Sequence, residues 1–138
     1  MSLVFRFRVT FEDVDDVVRV IDVGATNTFK EFHTSIQEAI NFDKIKIGSF
    51  FKATDSWRKD GVEFCTVAKQ SAKSAGASEL GKFIDDPHQK FVYVYDAEGG
   101  DWTLRVELMK LFKAEAGKDY PNVFKSDGIA PKQFVDPK

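Results

Sequence analysis

TFKEFHTSIQEAINF, residues 28–42, has the pattern of an amphipathic helix in a chain whose neighbouring stretches alternate like β-strands. Thr28 and Glu31 have capping-box spacing, in which the threonine oxygen accepts the amide of residue 31 and the glutamate reaches back to the threonine amide. The apolar side chains then share one helical face, and they are Phe29, Phe32, Ile36, Ala39 and Ile40. The stretch predicts a helix over about residues 29–41.

Two strand-like stretches precede this helix. Residues 3–11, LVFRFRVTF, alternate strictly, so that Phe5, Phe7, Val9 and Phe11 point to one face while Val4, Arg6, Arg8 and Thr10 point to the other. Residues 17–23, VVRVIDV, are rich in β-branched side chains and follow the acidic stretch EDVDD, so we expect a hairpin. The change of period from 2 to 3.6 favours an α+β fold over a pure β-barrel.

The rest of the chain adds further strands to this pattern. We expect strands at 47–54, 62–67 (short), 90–96 and 102–112, a turn or two of helix within 78–84, and an irregular tail beyond residue 116 that Tyr120, Phe124 and Phe134 hold down. The structure of residues 58–85 is left open. The sequence thus predicts one domain over residues 1–138, α+β in class, with a mostly antiparallel β-sheet and packed helices in the order β-β-α-β-(β)-α-β-β.

The composition limits the classes of function. The chain has 138 residues, 30% of them charged, a net charge of −2 and 14 phenylalanines, which is typical of a globular domain. The acidic balance disfavours nucleic acid as a partner without excluding it. A single cysteine, Cys65, rules out an internal disulfide framework and suits a reducing compartment, so we expect a cytoplasmic protein. No apolar run approaches the ~20 residues that span a bilayer, so we expect no membrane partner.

YVYDAEGGDW, residues 93–102, joins two of the expected strands. Gly99 and Gly100 predict a tight hairpin turn, because glycine adopts positive φ without a Cβ clash. The acidic side chains of this stretch are interpreted as solvated turn residues rather than calcium ligands, and they are Asp96, Glu98 and Asp101. An enzyme built on this chain would have to use these carboxylates as its acid or base, which stays open as an alternative.

Aromatic and basic side chains offer a candidate interaction surface. KFVYVY, residues 90–95, places Phe91, Tyr93 and Tyr95 on one face of a strand, as in domains that stack RNA bases, although burial against helices is the favoured interpretation. Arg6, Arg8 and Arg19, in the first two strands, could form a basic patch beside them. These six residues are the interaction surface that the sequence predicts.

The side chains that usually carry catalysis are few and scattered. His33 lies next to the apolar face of the predicted helix and is interpreted as a partly buried histidine with one hydrogen-bond partner. Cys65, in VEFCTV, is interpreted as a small core residue. Neither zinc-ligand spacing nor a phosphate-binding glycine loop occurs in the sequence. We therefore predict no catalytic residue, no metal site and no cofactor.

Several stretches in order resemble the plasmid pRiA4b ORF-3-like family. They are FRFRVTFEDV with VRVIDV, TFKEFHTSIQEAINFD, FVYVYDAEGGDWTLRVEL and YPNVFKSDGIAPKQF. The resemblance implies one α+β domain and a plasmid or transposon association, and it implies no biochemical activity. It also marks a divergent, His-poor member, because DKIKIGSFF stands where relatives have a His-Leu-His-Glu-Phe segment, and Thr103, Leu104 and Arg105 stand where they have a histidine.

A small cytoplasmic, non-catalytic binding or interaction module is the function that the sequence favours. Two alternatives remain open at this point, a nucleic-acid-associated protein and a carboxylate-dependent enzyme. The partner is left open as well, and the aromatic-rich composition is compatible with a protein partner.

Overall fold

Strands dominate the computed structural model, which describes residues 3–68, 70, 72–96 and 102–131. The strands of this part are β1 (Leu3–Phe11), β2 (Val18–Gly24), β3 (Gly48–Ala53), β4 (Lys59–Cys65), β5 (Lys73–Ser74), β6 (Lys90–Tyr95), β7 (Trp102–Lys113) and β8 (Asn122–Asp127). They form one sheet in the order β5-β4-β3-β6-β7-β1-β2-β8. Every pairing is antiparallel except the short parallel pair β4–β5. The predicted antiparallel sheet is confirmed.

One face of the sheet packs on helix α1 (Phe29–Ile40), which spans the predicted stretch. The capping box forms as expected, since the Glu31 amide donates to Thr28 Oγ1 over 3.2 Å and the Thr28 amide donates to Glu31 Oε1 over 2.9 Å. Phe32 lies 4.9 Å from Phe7 between ring centroids, and Phe29 stacks on Phe64 at 4.0 Å. The inward-pointing residues of β1 therefore contact the apolar face of the helix. The core forms where this face of the sheet and the apolar face of α1 bury each other.

The expectation of packed helices is too strong. Within the described ranges α1 is accompanied only by two 3₁₀ turns, Ala75–Ala77 and Leu80–Lys82, and the second stands where a longer helical turn was expected. The amides of Leu80 and Gly81 donate to the carbonyls of Asn27 and Ala25 instead of to a helix of their own. These backbone hydrogen bonds hold the segment against the start of α1. Because α1 is the one α-helix among the described residues, the domain is mostly β.

The predicted irregular tail is wrong for residues 122–127, which form β8 and pair with β2. Local sequence gave no alternating apolar pattern there, since five of the six residues are exposed. The strand forms because its backbone can hydrogen-bond with the edge of β2 that β1 leaves free. Phe124, expected to hold the tail to the core, is 51% exposed on this edge strand.

The hairpin predicted from residues 93–102 is confirmed by the pairing of β6 with β7, in which Tyr95 is opposite Trp102. Asp96 leaves the strand with φ 55°, and its amide donates to the Ile47 carbonyl over 2.9 Å. The predictions for Glu98, Gly99, Gly100 and Asp101 lie outside the described residues.

Candidate functional site

The aromatic face of β6 lies inside the core. Phe91, Tyr93 and Tyr95 are each 0% exposed, and they face α1 and β3 rather than solvent. Tyr93 packs 4.6 Å from Phe50 between ring centroids and 5.8 Å from His33. A ligand cannot stack on these rings in the folded chain, so the aromatic half of the predicted interaction surface needs correction. Burial against a helix, the favoured interpretation of KFVYVY, is what the structure has.

A polar cluster sits within this core between α1 and β6. Gln37 Nε2 donates to the Tyr93 hydroxyl over 3.0 Å, and that hydroxyl lies 2.5 Å from His33 Nδ1. The direction of this second hydrogen bond depends on which nitrogen of the imidazole carries the proton, because a hydroxyl can donate one hydrogen bond and accept two. Burial, with a smaller contribution from Lys30, lowers the pKa of His33 to about 4. The expected histidine with one hydrogen-bond partner is confirmed.

Gly48, the first residue of β3, lies against this cluster. A Cβ atom at this position would lie 2.5 Å from His33 Nδ1 and 3.1 Å from the Tyr93 hydroxyl. Gly48→Ala should therefore lower the free energy of unfolding by about 2 kcal/mol, as overpacking does in a filled core. Urea denaturation of the variant measures this cost. Gly76→Ala is the matched control, because its nearest contact is a flexible lysine carbon at 3.6 Å; equal stability of the two variants would contradict the packing described.

Arg19, the third basic residue of the predicted surface, lies on the helix side of the sheet and is only 7% exposed. Its Nε donates to the Ala39 carbonyl over 2.9 Å, and its Nη1 donates to the carbonyls of Val18 and Asp127 over 3.0 and 2.8 Å. The guanidinium thus joins the last turn of α1 to β2 and β8. Its hydrogen bonds serve the fold, and Arg19 is not part of an exposed surface.

Arg6 lies on the other face of the sheet, which α1 does not cover and which we call the open face. Its Nε and Nη2 donate to the two carboxylate oxygens of Asp22 over 2.7 and 3.0 Å, and Asp22 is 0% exposed. This pairing raises the pKa of Arg6. The guanidinium carbon also lies 3.6 Å from the centroid of the Phe124 ring. A buried carboxylate and an aromatic ring therefore hold this cation in one position.

A groove of about 540 Å³ runs along the open face beside Arg6. We call it the open-face groove, and its lining consists of Arg6, Arg8, Val18, Val20, Met109, Lys110, Phe124, Lys125 and Asp127. These residues come from β1, β2, β7 and β8, four adjacent strands of the sheet. Four cations thus surround a largely apolar floor, with a single carboxylate in the lining.

The charges of the groove differ in how far they are neutralised. Asp127 lies 3.4 Å from Lys125 and Asp22 pairs with Arg6, whereas Arg8 and Lys110 form no ion pair within the described ranges. Arg8 and Lys110 are exposed, as are Met109 at 48% and Phe124 at 51%. The groove can therefore attract an anion and, at the same place, cover apolar surface.

The sequence predicted only part of this groove. It pointed to Arg6 and Arg8 but missed Lys110 and Lys125, which lie in strands distant in the sequence. Strict alternation along β7 would place Lys110 on the core side with Leu104, Val106 and Leu108, and a register shift opposite Arg6 and Phe7 brings it to the open face instead. No local signal could bring β7 and β8 beside β1 and β2, because strand order depends on non-local pairing.

The described residues also bear on metal and membrane binding. Among the residues described, no cluster of three or more His, Cys, Asp or Glu side chains is arranged to hold a metal ion. In the same part of the chain, no helix has the length and apolar character needed to cross a membrane.

Comparison with known proteins gives a fold match and a family. The structure is similar to the crystal structure of a protein of unknown function, MM3350 from Methanosarcina mazei Go1, with a TM-score of 0.76 and 19% identity over 91% of this chain and 70% of that chain. No curated protein matches. The family model of plasmid pRiA4b ORF-3-like protein matches residues 3–136. The chain therefore belongs to the plasmid pRiA4b ORF-3-like family.

Proposed function

We propose that this protein is a non-catalytic binding module that binds an anionic ligand in the open-face groove. The observation that carries the proposal is the convergence of four cations on an apolar floor within one groove of about 540 Å³. That volume is in the range of small-ligand sites, which extend from ~300 to ~1,000 Å³. The lining offers charge and contact area, and its only acidic member is Asp127.

Rigid placement of one cation supports a binding role. Arg6 is fixed by the two oxygens of Asp22 and by the Phe124 ring, so little side-chain freedom remains to be lost when a ligand arrives. Arg8 and Lys110 add exposed charge on the neighbouring strand positions. An anion would thus meet one preorganised cation and two exposed cations.

The apolar part of the lining indicates an amphipathic ligand. Val18 and Val20 line the groove from β2, while Met109 and Phe124 stand at 48% and 51% exposure. Covering such side chains stabilises a complex by roughly 25 cal/mol for each Å² of apolar surface removed from water. A ligand with an anionic group and an aromatic or aliphatic body fits this lining better than a simple inorganic anion.

A titration with 8-anilinonaphthalene-1-sulfonate tests the proposal, because this fluorescent probe joins a sulfonate to aromatic rings. We expect saturable binding to the native protein at neutral pH. Arg8→Glu/Lys110→Glu should weaken that binding at least fivefold, since two attractive charges become repulsive. The matched control is Lys30→Glu/Lys82→Glu, which reverses two exposed lysines that do not line the groove and should leave the affinity unchanged.

Thermal melts establish that all three proteins are folded at the temperature of the titration. Absence of saturable binding to the native protein would contradict the proposal. So would equal weakening in the groove variant and in the control variant, since the effect would then come from net charge alone.

A further inference from the structure

A second pairing of cations with an aromatic ring lies on the open face, away from the groove. Trp57, in the connection between β3 and β4, has Lys90 Nζ and Arg105 Cζ each 5.3 Å from its ring centroid. The tryptophan holds φ 64°, a left-handed conformation that non-glycine residues rarely adopt. Its ring is only partly buried. The Nε atom of Arg105 is buried without a hydrogen-bond partner among the described residues.

The strand register connects this pairing to the groove. Five residues, one from each of five adjacent strands, lie opposite one another in a line across the sheet. In order they are Lys90 on β6, Glu107 on β7, Arg8 on β1, Val20 on β2 and Lys125 on β8. We call this line of residues the cross-strand row. Four strand spacings of ~4.8 Å give it a length of about 19 Å. Trp57 lies near its β6 end, and Phe124 lies near its β8 end.

We infer that the open face binds single-stranded nucleic acid along the cross-strand row. Phosphates would lie on Lys110, Arg8 and Lys125, which come from β7, β1 and β8 and so follow one another across the strands. Bases would stack on the rings of Trp57 and Phe124. The inference rests on the proposed function, because the open-face groove forms one half of the surface. It assigns the class of ligand, a chain with regularly spaced anions and planar rings.

The layout of the surface favours this ligand over other polyanions. An acidic peptide would pair with the cations but would leave the rings of Trp57 and Phe124 without planar partners, whereas every base offers a π face. Duplex DNA is commonly read by an element that enters a groove, and α1 is packed on the opposite face of the sheet. The net charge of −2 is a property of the whole chain, and Glu107 is the one acid of the cross-strand row.

Fluorescence anisotropy with fluorescein-labelled dT3, dT6 and dT12 tests the inference. A stacked strand has one phosphate per ~3.4 Å, so about six nucleotides span the row. Affinity at low salt should rise from dT3 to dT6 and then increase only slightly for dT12. Three phosphate contacts predict a slope of about −2 for the logarithm of affinity against the logarithm of salt concentration.

Two pairs of variants separate charge from stacking. Arg8→Glu/Lys110→Glu should weaken dT6 binding at least tenfold, whereas Lys30→Glu/Lys82→Glu should have little effect. Trp57→Asn, chosen because asparagine tolerates the left-handed conformation, and Phe124→Thr should each weaken it about fivefold or more. The salt slope should stay unchanged in the two aromatic variants, since no phosphate contact is lost.

The outcomes distinguish this inference from the proposed function. If the sulfonate probe binds in the groove and no oligonucleotide binds at low salt, the nucleic-acid inference is wrong and the binding module stands. If polyglutamate of matched charge competes as well as dT12, the surface prefers acidic peptides and the inference is wrong. If neither the probe nor the oligonucleotides bind, the proposed function itself fails.

Discussion

Lowering the pH from 7 to 4 should remove about 3 kcal/mol from the free energy of unfolding through His33 alone. Burial lowers the pKa of this imidazole in the folded chain to about 4, whereas an unfolded histidine titrates near 6.5. Between these values the unfolded chain binds more protons than the folded chain does. Stability from the neutral imidazole is therefore present above pH 6.5 and is lost as the pH falls toward 4.

Urea denaturation of the native protein and of His33→Asn at both pH values isolates this effect. The asparagine side chain has a carbonyl oxygen that can accept from the Tyr93 hydroxyl, and it does not titrate. Carboxylates contribute equally to both proteins, so the loss in the native protein should exceed the loss in the variant by about 3 kcal/mol. Parallel losses in the two proteins would show that His33 is not held neutral in the core.

Arg19→Met should lower the free energy of unfolding by about 3 kcal/mol. The substitution keeps much of the buried aliphatic stem but removes three hydrogen bonds to the carbonyls of Ala39, Val18 and Asp127. Those oxygens lie at the end of α1 and at the β2–β8 junction, where the three hydrogen bonds are partly buried. A carbonyl that loses a charged donor costs roughly 1–3 kcal/mol where water cannot replace that donor, and less where water can.

Arg8→Met is the matched control, because it makes the same change of side chain in the neighbouring strand at an exposed position. Its stability should stay within about 0.5 kcal/mol of the native protein. Urea denaturation at neutral pH gives both values. If Arg19→Met costs no more than Arg8→Met, the contact between the helix end and β8 does not stabilise the fold as described.

The elements with strong local periodicity are the ones that sequence analysis placed correctly. β1 was predicted over residues 3–11 and spans Leu3–Phe11, and α1 was predicted over about 29–41 and spans Phe29–Ile40. Both have patterns that a single face of burial produces, and α1 has a capping box in addition. β8 was missed because its residues are mostly exposed and its existence depends on an open edge at β2.

The site was harder to predict than the fold, and Arg19 shows why. Residues 17–23 are apolar almost throughout, so their alternation does not say which face each side chain occupies. The strand register decides which face Arg19 occupies, because Arg19 is opposite Val9, a core-facing residue of β1. The predicted basic patch therefore lost Arg19 and gained Lys110 and Lys125, whose positions depend on the order β7-β1-β2-β8.

We expect the open face of the sheet, and not the face under α1, to be the binding surface. Two-dimensional ¹H–¹⁵N spectra of the labelled protein, recorded during titration with 8-anilinonaphthalene-1-sulfonate, test it most directly. We expect the largest shift changes at amides of β1, β2, β7 and β8 that flank the open-face groove, with the α1 amides unchanged. Shift changes concentrated in α1 and in the Leu80–Lys82 turn, with the four strands unaffected, would contradict the account.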